Sequence, residues 1–149
     1  HSFPTRRSSD LELDCEPEGF KWVFGGDVSH NMLTFCRMTK NKKKCLLWHF
    51  NFSPVVYENH RIACLCPGTY REVFNSDHKQ YGGSGLVNSN AVIAEKVAWD
   101  WNEYSMEVNV PAYGAVAFEF DYTEPPKPRE TRSTKARKRD KNFYKKIKH

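Results

Sequence analysis

WHFNFSPVVYENHRIACLCPGTYREVFNSDHKQYGGSG, residues 48–85, reads as three short strands and the turns between them. Leu46, Trp48, Phe50 and Phe52 are apolar at every second position, which places them on one face of a pleated strand and predicts that face as core, Trp48 included. Pro54 has no N–H to give to a ladder and ends the pairing. After a polar corner, Tyr57-Glu58-Asn59, a second run carries Ile62 and Cys64 to a Pro67-Gly68 turn. The third strand, 69–75, sets Tyr70, Glu72 and Phe74 on one side and Arg71 and Val73 on the other. Asn75-Ser76-Asp77, whose short polar side chains bond nearby backbone, closes it, and Tyr81-Gly82-Gly83-Ser84-Gly85 is the loop beyond.

Working outward, the same alternation recurs on both sides. Phe20 and Trp22 share one side of a first strand that ends at Gly25-Gly26-Asp27. Leu33 and Phe35 alternate with Thr34 and Cys36 in a second, and the polar run 40–44 makes a hairpin loop to the central strand. Apolar character returns through Val92, Ile93, Val97 and Trp99. The chain then turns into the cleanest strand, with Tyr104, Met106, Val108 and Val110 against Ser105, Glu107 and Asn109. Pro111-Ala112-Tyr113-Gly114 is a turn, and Val116, Phe118, Phe120 and Tyr122 alternate with small or polar residues, so these last two strands are expected to form a final hairpin. About eight strands at this spacing predict an all-β fold, an antiparallel two-sheet β-sandwich.

At 149 residues the chain has room for one domain with a core, and is too short for a (β/α)8 barrel of about 250 residues. The net charge of +5 is unevenly placed. Residues 127–149 hold 11 Lys and Arg against 2 acidic residues, a local +9, so the other 126 residues carry −4. The basicity belongs to a tail, and nucleic acid is not expected as a partner of the folded part. No stretch approaches the ~18 apolar residues of a membrane span. Residues 1–10, HSFPTRRSSD, lack the apolar run of a signal peptide and read as a disordered leader foreign to the domain. Residues 123–149 read as a Pro-rich exit and a disordered basic tail. Five cysteines without repeating spacing, Cys15, Cys36, Cys45, Cys64 and Cys66, indicate free thiols packed as small apolar groups in a reducing cytoplasm.

Four separated segments carry a resemblance in the right order: N-F-S-P-V at 51–55, E-N-H-R-I at 58–62, Y-R-E-V-F-N-S-D at 70–77 and Y-G-G-S-G at 81–85. With L-D-C-E-P-E-G-F-K-W-V at 13–23 leading in, residues 11–122 resemble the C-terminal all-β domain of bacterial glycogen branching enzymes. The chain departs from that pattern at Trp48-His49, where smaller apolar residues are expected, at Cys64-Leu65-Cys66 in place of a Gly-Val-Pro-like turn entry, and in the basic tail. The resemblance implies a parent enzyme that cuts an α-1,4-glucan and rejoins it through an α-1,6 bond by retaining chemistry. Its two carboxylates, about 5 Å apart, lie in a catalytic barrel upstream of everything here. No catalytic residue carries over. The implied partners are that barrel, within the parent protein, and α-glucan or glycogen.

The residues themselves offer little other chemistry. Carboxylates at Asp27, Glu58, Glu72 and Asp77 and histidines at 30, 49, 60 and 78 follow no catalytic spacing. Cys64-Leu-Cys66 is at most half of a zinc site, so no metal or cofactor is expected. The Gly82, Gly83 and Gly85 amides could cradle an anion, but no Gly-Lys-Ser/Thr and no helix follow. Sugars stack on exposed aromatics, and Trp99, Trp101 and Tyr81 are the candidates for glucan contact, with the two tryptophans flanking Asp100 on one side of an extended chain. Two other functions fit the sequence. A stand-alone glucan-binding module predicts an exposed aromatic platform, and a β-domain using its basic tail on nucleic acid predicts binding that collapses with salt.

Overall fold

The computed structural model describes residues 13, 15–27 and 29–127. The expectations for residues 1–10 and for the tail from 128 onward lie outside the described residues. Eight strands follow in order: β1 (Phe20–Asp27), β2 (Met32–Arg37), β3 (Cys45–Asn51), β4 (Tyr57–Cys64), β5 (Gly68–Asn75), β6 (Val92–Ala94), β7 (Tyr104–Val110) and β8 (Gly114–Phe120). All pair antiparallel, in a six-stranded sheet ordered β1-β2-β3-β8-β5-β6 and a two-stranded sheet of β4 and β7. One exchange of backbone hydrogen bonds, Glu95 with Ser105, joins the end of β6 to β7, so the large sheet turns into the small one along that edge.

The core lies between the sheets. Val23, Cys36, Leu47, Tyr70, Val116, Phe118 and Phe120 face Ile62, Cys64, Tyr104, Met106, Val108 and Val110. Each of the larger side chains contributes about 1.5–3 kcal/mol on burial. Four of the five cysteines, Cys36, Cys45, Cys64 and Cys66, sit in this core as free thiols, and Cys15 is exposed.

Four readings of the sequence need correction. The last two strands do not form a hairpin. β7 pairs with β4 and β8 with β3 and β5, because the apolar sides of the two strands close the core from opposite sheets. The turn between them is a corner from one sheet to the other. There Gly114 lies so close to Pro111 that a Cβ would fall 2.4 Å from its ring, and the Tyr113 amide donates to Ser53 O.

In β3 the phase is inverted: Cys45, Leu47, His49 and Asn51 are buried, while Trp48 and Phe50 are half-buried on the outer face and Phe52 is exposed. The polar members of the inner set are accommodated because His49 bonds Thr34 and Asn51 uses both ends of its amide, whereas an outward Trp48 costs nothing if that face is covered.

In β5 a bulge at Val73 breaks the simple alternation. Glu72 aligns with Phe118 and Phe74 with Ala117, so Tyr70 and Glu72 share the inner side and Phe74 goes to the outer one. The polar corner 57–59 lies within β4, where the register shifts between Tyr57 and His60 and Asn59 has φ +50°.

Candidate docking face and inter-sheet cleft

The outer face of the large sheet carries a run of touching aromatic rings. Phe20 and Trp22 of β1 meet Phe35 of β2 at 5.1 and 6.2 Å between ring centres, and Phe35 meets Phe50 of β3 at 5.8 Å. Phe50 stacks on Trp48 and Phe52 at 5.8 and 6.0 Å, Trp48 reaches Phe74 of β5 at 5.5 Å, and Phe74 reaches Tyr81 at 5.8 Å. The intervening strand β8 presents small side chains there. Ala117 is the register partner of both Trp48 and Phe74, which is why rings two strands apart can meet. Trp22 is 60% exposed and Phe52 59%. Trp22 and Phe52 thus belong to a contiguous set of apolar rings open to solvent on this face.

The loop bearing Tyr81 is wound around one carboxylate. Asp77 accepts hydrogen bonds from the Ser84 amide at 3.0 Å, the Ser84 hydroxyl at 2.5 Å and the Leu86 amide at 2.9 Å, and its carbonyl accepts from the Gly85 amide. The Ser84 hydroxyl bond, followed by the backbone amides, holds the carboxyl below its usual range. A Cβ at Gly83 would stand 2.1 Å from Asp77 O, and Gly82 and Gly85 have φ of +82° and +91°. The amides of Gly82, Gly83 and Gly85 donate to Lys79, His78 and Asp77 carbonyls, so they are spent inside the loop.

Neighbouring residues of the same segment tie the loop down. Asn75 bonds Glu72, Leu86 and the Asp77 amide, Ser76 exchanges bonds with Ala115, and Glu72 receives Asn88, which in turn grips Asn109 of β7. Both carboxylates, Glu72 and Asp77, thus hold backbone in place.

The second feature is a cleft of about 110 Å³ between the sheets. Thr34 and His49 form its buried floor, His60, Arg61 and Ile62 of β4 form one wall, and Trp99 and Asp100 close its mouth. His49 Nδ1 lies 2.7 Å from Thr34 Oγ1, and its ring centre is 6.2 Å from that of His60. Burial first, and His60 second, push the His49 imidazole down to about 3, so it is neutral at ordinary pH.

The three residues expected to contact glucan fall in two places. Tyr81 belongs to the rim of the outer aromatic face. Trp99 and Trp101 belong to the strand-free stretch ahead of β7, and they do not lie on an extended chain. Asp100 and Trp101 both have positive φ, +45° and +65°, and Trp99 and Asn102 exchange backbone bonds at 2.9 Å, which makes a two-residue hairpin turn. Asn102 Nδ2 anchors that turn to Val23 O at 3.1 Å. Trp101 at its tip is 95% exposed, and Trp99 lines the cleft. The aromatic face was hidden from sequence reading because alternation identifies two sides without saying which is inside. His49 and Asn51 in the inner phase, and Ala115 and Ala117 in the opposing strand, were its only signals.

The fold and these surfaces define an all-β domain of two antiparallel sheets with one uncovered aromatic side. The sequence model of the alpha amylase C-terminal all-beta domain family matches residues 22–121, and the chain belongs to that family. It is 39% identical over 108 residues to the 1,4-alpha-glucan branching enzyme GlgB of Saccharophagus degradans, covering 72% of this chain and 15% of that protein. The GlgB of Rubrobacter xylanophilus is 38% identical over 105 residues, 70% of this chain and 14% of its own. A Clostridium perfringens GlgB is 36% identical over 115 residues, 76% and 18%. The chain therefore spans less than a fifth of the length of these relatives. No helix among the described residues is long and apolar enough to cross a membrane.

Proposed function

We propose that residues 11–122 are the C-terminal β-domain of a cytoplasmic 1,4-alpha-glucan branching enzyme, and that the domain supports the catalytic barrel of that enzyme by packing its outer aromatic face against it. The observation that carries the reading is the run of rings from Trp22 to Tyr81, apolar side chains that a finished, free-standing surface would not leave to water. The relatives' names and the small share of their length that this chain covers support the same reading. Chain transfer from α-1,4 to α-1,6 linkage would be carried out by carboxylates of the barrel. The role of this domain is to hold that barrel, with glucan contact by Trp99, Trp101 and Tyr81 secondary to it.

The test is reconstitution. The Saccharophagus degradans enzyme, shortened by its matched segment, is mixed with this chain, and complex formation is followed by sedimentation with branching activity read from the iodine stain of amylose. The expected outcome is a one-to-one complex that a Trp22→Ser, Phe52→Ser variant forms at least about tenfold more weakly. Equal binding by the variant and the wild-type chain would remove the aromatic face from the interface.

A further inference from the structure

Among the described residues, the only buried side-chain nitrogen or oxygen without a hydrogen-bond partner is Nε2 of His49. His49 is 2% exposed, its other nitrogen is taken by Thr34, and its ring lines the cleft between the sheets. An imidazole nitrogen buried in this way costs stability unless something occupies the space beside it.

The lining narrows what that occupant is. An anion finds the guanidinium of Arg61 already held by Glu95, Glu107 and Ser105, with Asp100 in the same lining. A cation meets the guanidinium of Arg61 in the wall. No three His, Cys, Asp or Glu groups among the described residues are placed to hold a metal ion. A neutral group with hydroxyls remains. At about 30 Å³ for each water-sized group, 110 Å³ admits roughly three or four such groups, the edge of a hexose ring and not the whole of it. Trp99, 42% exposed, supplies at the mouth an indole on which the rest of the ring can lie.

We propose that this cleft is a binding site for a neutral hydroxylated ring, a hexose unit whose edge enters between the sheets, with His49 Nε2 bonding one hydroxyl and Trp99 covering the apolar face. The neutral state of His49 suits it to a hydroxyl, which can donate to or accept from the ring according to its tautomer. The site rests on the branching-enzyme reading only in making an α-glucan chain end the natural source of the hexose.

The experiment uses the whole 149-residue chain labelled with ¹⁵N, following the His49 imidazole and Trp99 indole signals during titration with glucose, maltoheptaose and cellohexaose. Saturable movement of both signals with glucose or maltoheptaose is the expected result. Tighter binding of maltoheptaose than of glucose identifies a glucan end, and equal binding identifies a free sugar. Trp99→Ala, a change at the surface, should weaken binding by about tenfold, and Thr34→Val, which releases His49 Nδ1, should weaken it by a similar factor.

No movement at saturating sugar overturns the proposal and leaves an ordered water as the occupant. Binding that Trp99→Ala leaves unchanged overturns it too, whereas equal movement with cellohexaose supports a site that reads one terminal ring and not the linkage behind it. Trp99 lies off the aromatic face, so the reconstitution experiment reads separately. A silent titration with intact complex formation removes the cleft and spares the docking face, and the reverse spares the cleft.

Discussion

Asn51 Nδ2 donates to Pro111 O across 3.0 Å, and that bond ties together two of the four places where the chain passes from one sheet to the other. The same amide donates to Val55 O at 2.8 Å, and its oxygen accepts from the Ser53 amide and hydroxyl at 3.0 and 2.7 Å. The exit of β3 toward β4 and the corner between β7 and β8 are thereby fixed to one buried side chain. The Asn-Phe-Ser-Pro segment has this physical content: an amide with four bonds, a ring for the outer face, a hydroxyl that turns the chain and a proline that ends the ladder.

Replacing Asn51 with Ala leaves the Val55 and Pro111 carbonyls and the Ser53 donors without this partner. Groups of this kind cost about 1–3 kcal/mol each when they cannot reach water, so Asn51→Ala is expected to lower stability by roughly 2–4 kcal/mol. Ser53→Ala removes one member and should cost about 1 kcal/mol. Urea denaturation of the two variants checks the ordering. A loss under about 1 kcal/mol for Asn51→Ala would mean that the corners are held by the β ladders alone.

Much of the fold was open to reading from the sequence because most strands announce themselves. The alternation at 104–110 and 116–120 places the right residues inside, and Pro67-Gly68 and the 40–44 run fall at turns. What failed was partner choice and phase. Nothing in Val110-Pro-Ala-Tyr-Gly114 distinguishes a hairpin turn from a corner between sheets, since the difference lies in Asn51, sixty residues earlier. In β3 the larger side chains are outside, on the face that the proposed contact with the barrel would cover, and such a contact leaves no periodic signal in the sequence. The bulge at Val73 is likewise set by how β5 meets β8. Of the candidate site, Trp99, Trp101 and Tyr81 were visible as aromatics near turns. His49 was not, because its role depends on Thr34 from a different strand and on a cavity.

His49 gives the domain an acid-sensitive core. In the folded chain its pKa is about 3, against 6.5 for the free side chain, with burial the main cause and His60 the second. Below pH 6.5 the unfolded chain takes up a proton that the folded chain refuses, so stability falls as pH drops from about 6.5 toward 3, at up to about 1.4 kcal/mol per unit. His60, Arg61, His30 and Asp100 line the same cleft, and of these His60 opposes the protonation of His49. The check is urea stability between pH 7 and 4 for the wild-type chain and for His49→Gln, which keeps a hydrogen-bonding group that does not titrate. The variant is expected to flatten the slope. An unchanged slope would assign the acid sensitivity to other groups.

Asp77 makes the opposite test on the loop. Its half-buried carboxylate is held low by Ser84, then by the amides of Ser84, Leu86 and Gly85, so its contribution is present above the normal carboxylate range and is lost as pH falls through the folded value. Asp77→Ala should speed hydrogen exchange at the Ser84 and Leu86 amides and open residues 78–86 to protease while leaving the β7 and β8 amides protected. Gly83→Ala, which drives a Cβ into Asp77 O, should open the same loop by a different route. If neither change alters exchange at Leu86, the Asp77 network does not hold the loop.

The thiols separate surface from core without any substitution. Burial pushes the Cys64 thiol up to about 12, and the Cys36 thiol is raised well above its usual range, in both cases with neighbouring core cysteines adding to the effect. A thiol that is both out of reach and short of thiolate does not attack a disulfide reagent. Of the five cysteines, Cys15 alone is exposed, so the folded chain should release one equivalent of thionitrobenzoate quickly at pH 8. The other four should react only as fast as the sheets separate. Adding urea should raise their rate in step with the unfolded fraction, all four together, because Cys36 and Cys45 line the core from the large sheet and Cys64 and Cys66 lie in and just beyond β4 across from them. Release of the Cys64 and Cys66 pair ahead of the other two would show instead that the two-stranded sheet peels away first, and that the Glu95 and Ser105 bridge to β6 is too weak to make the sandwich one cooperative unit.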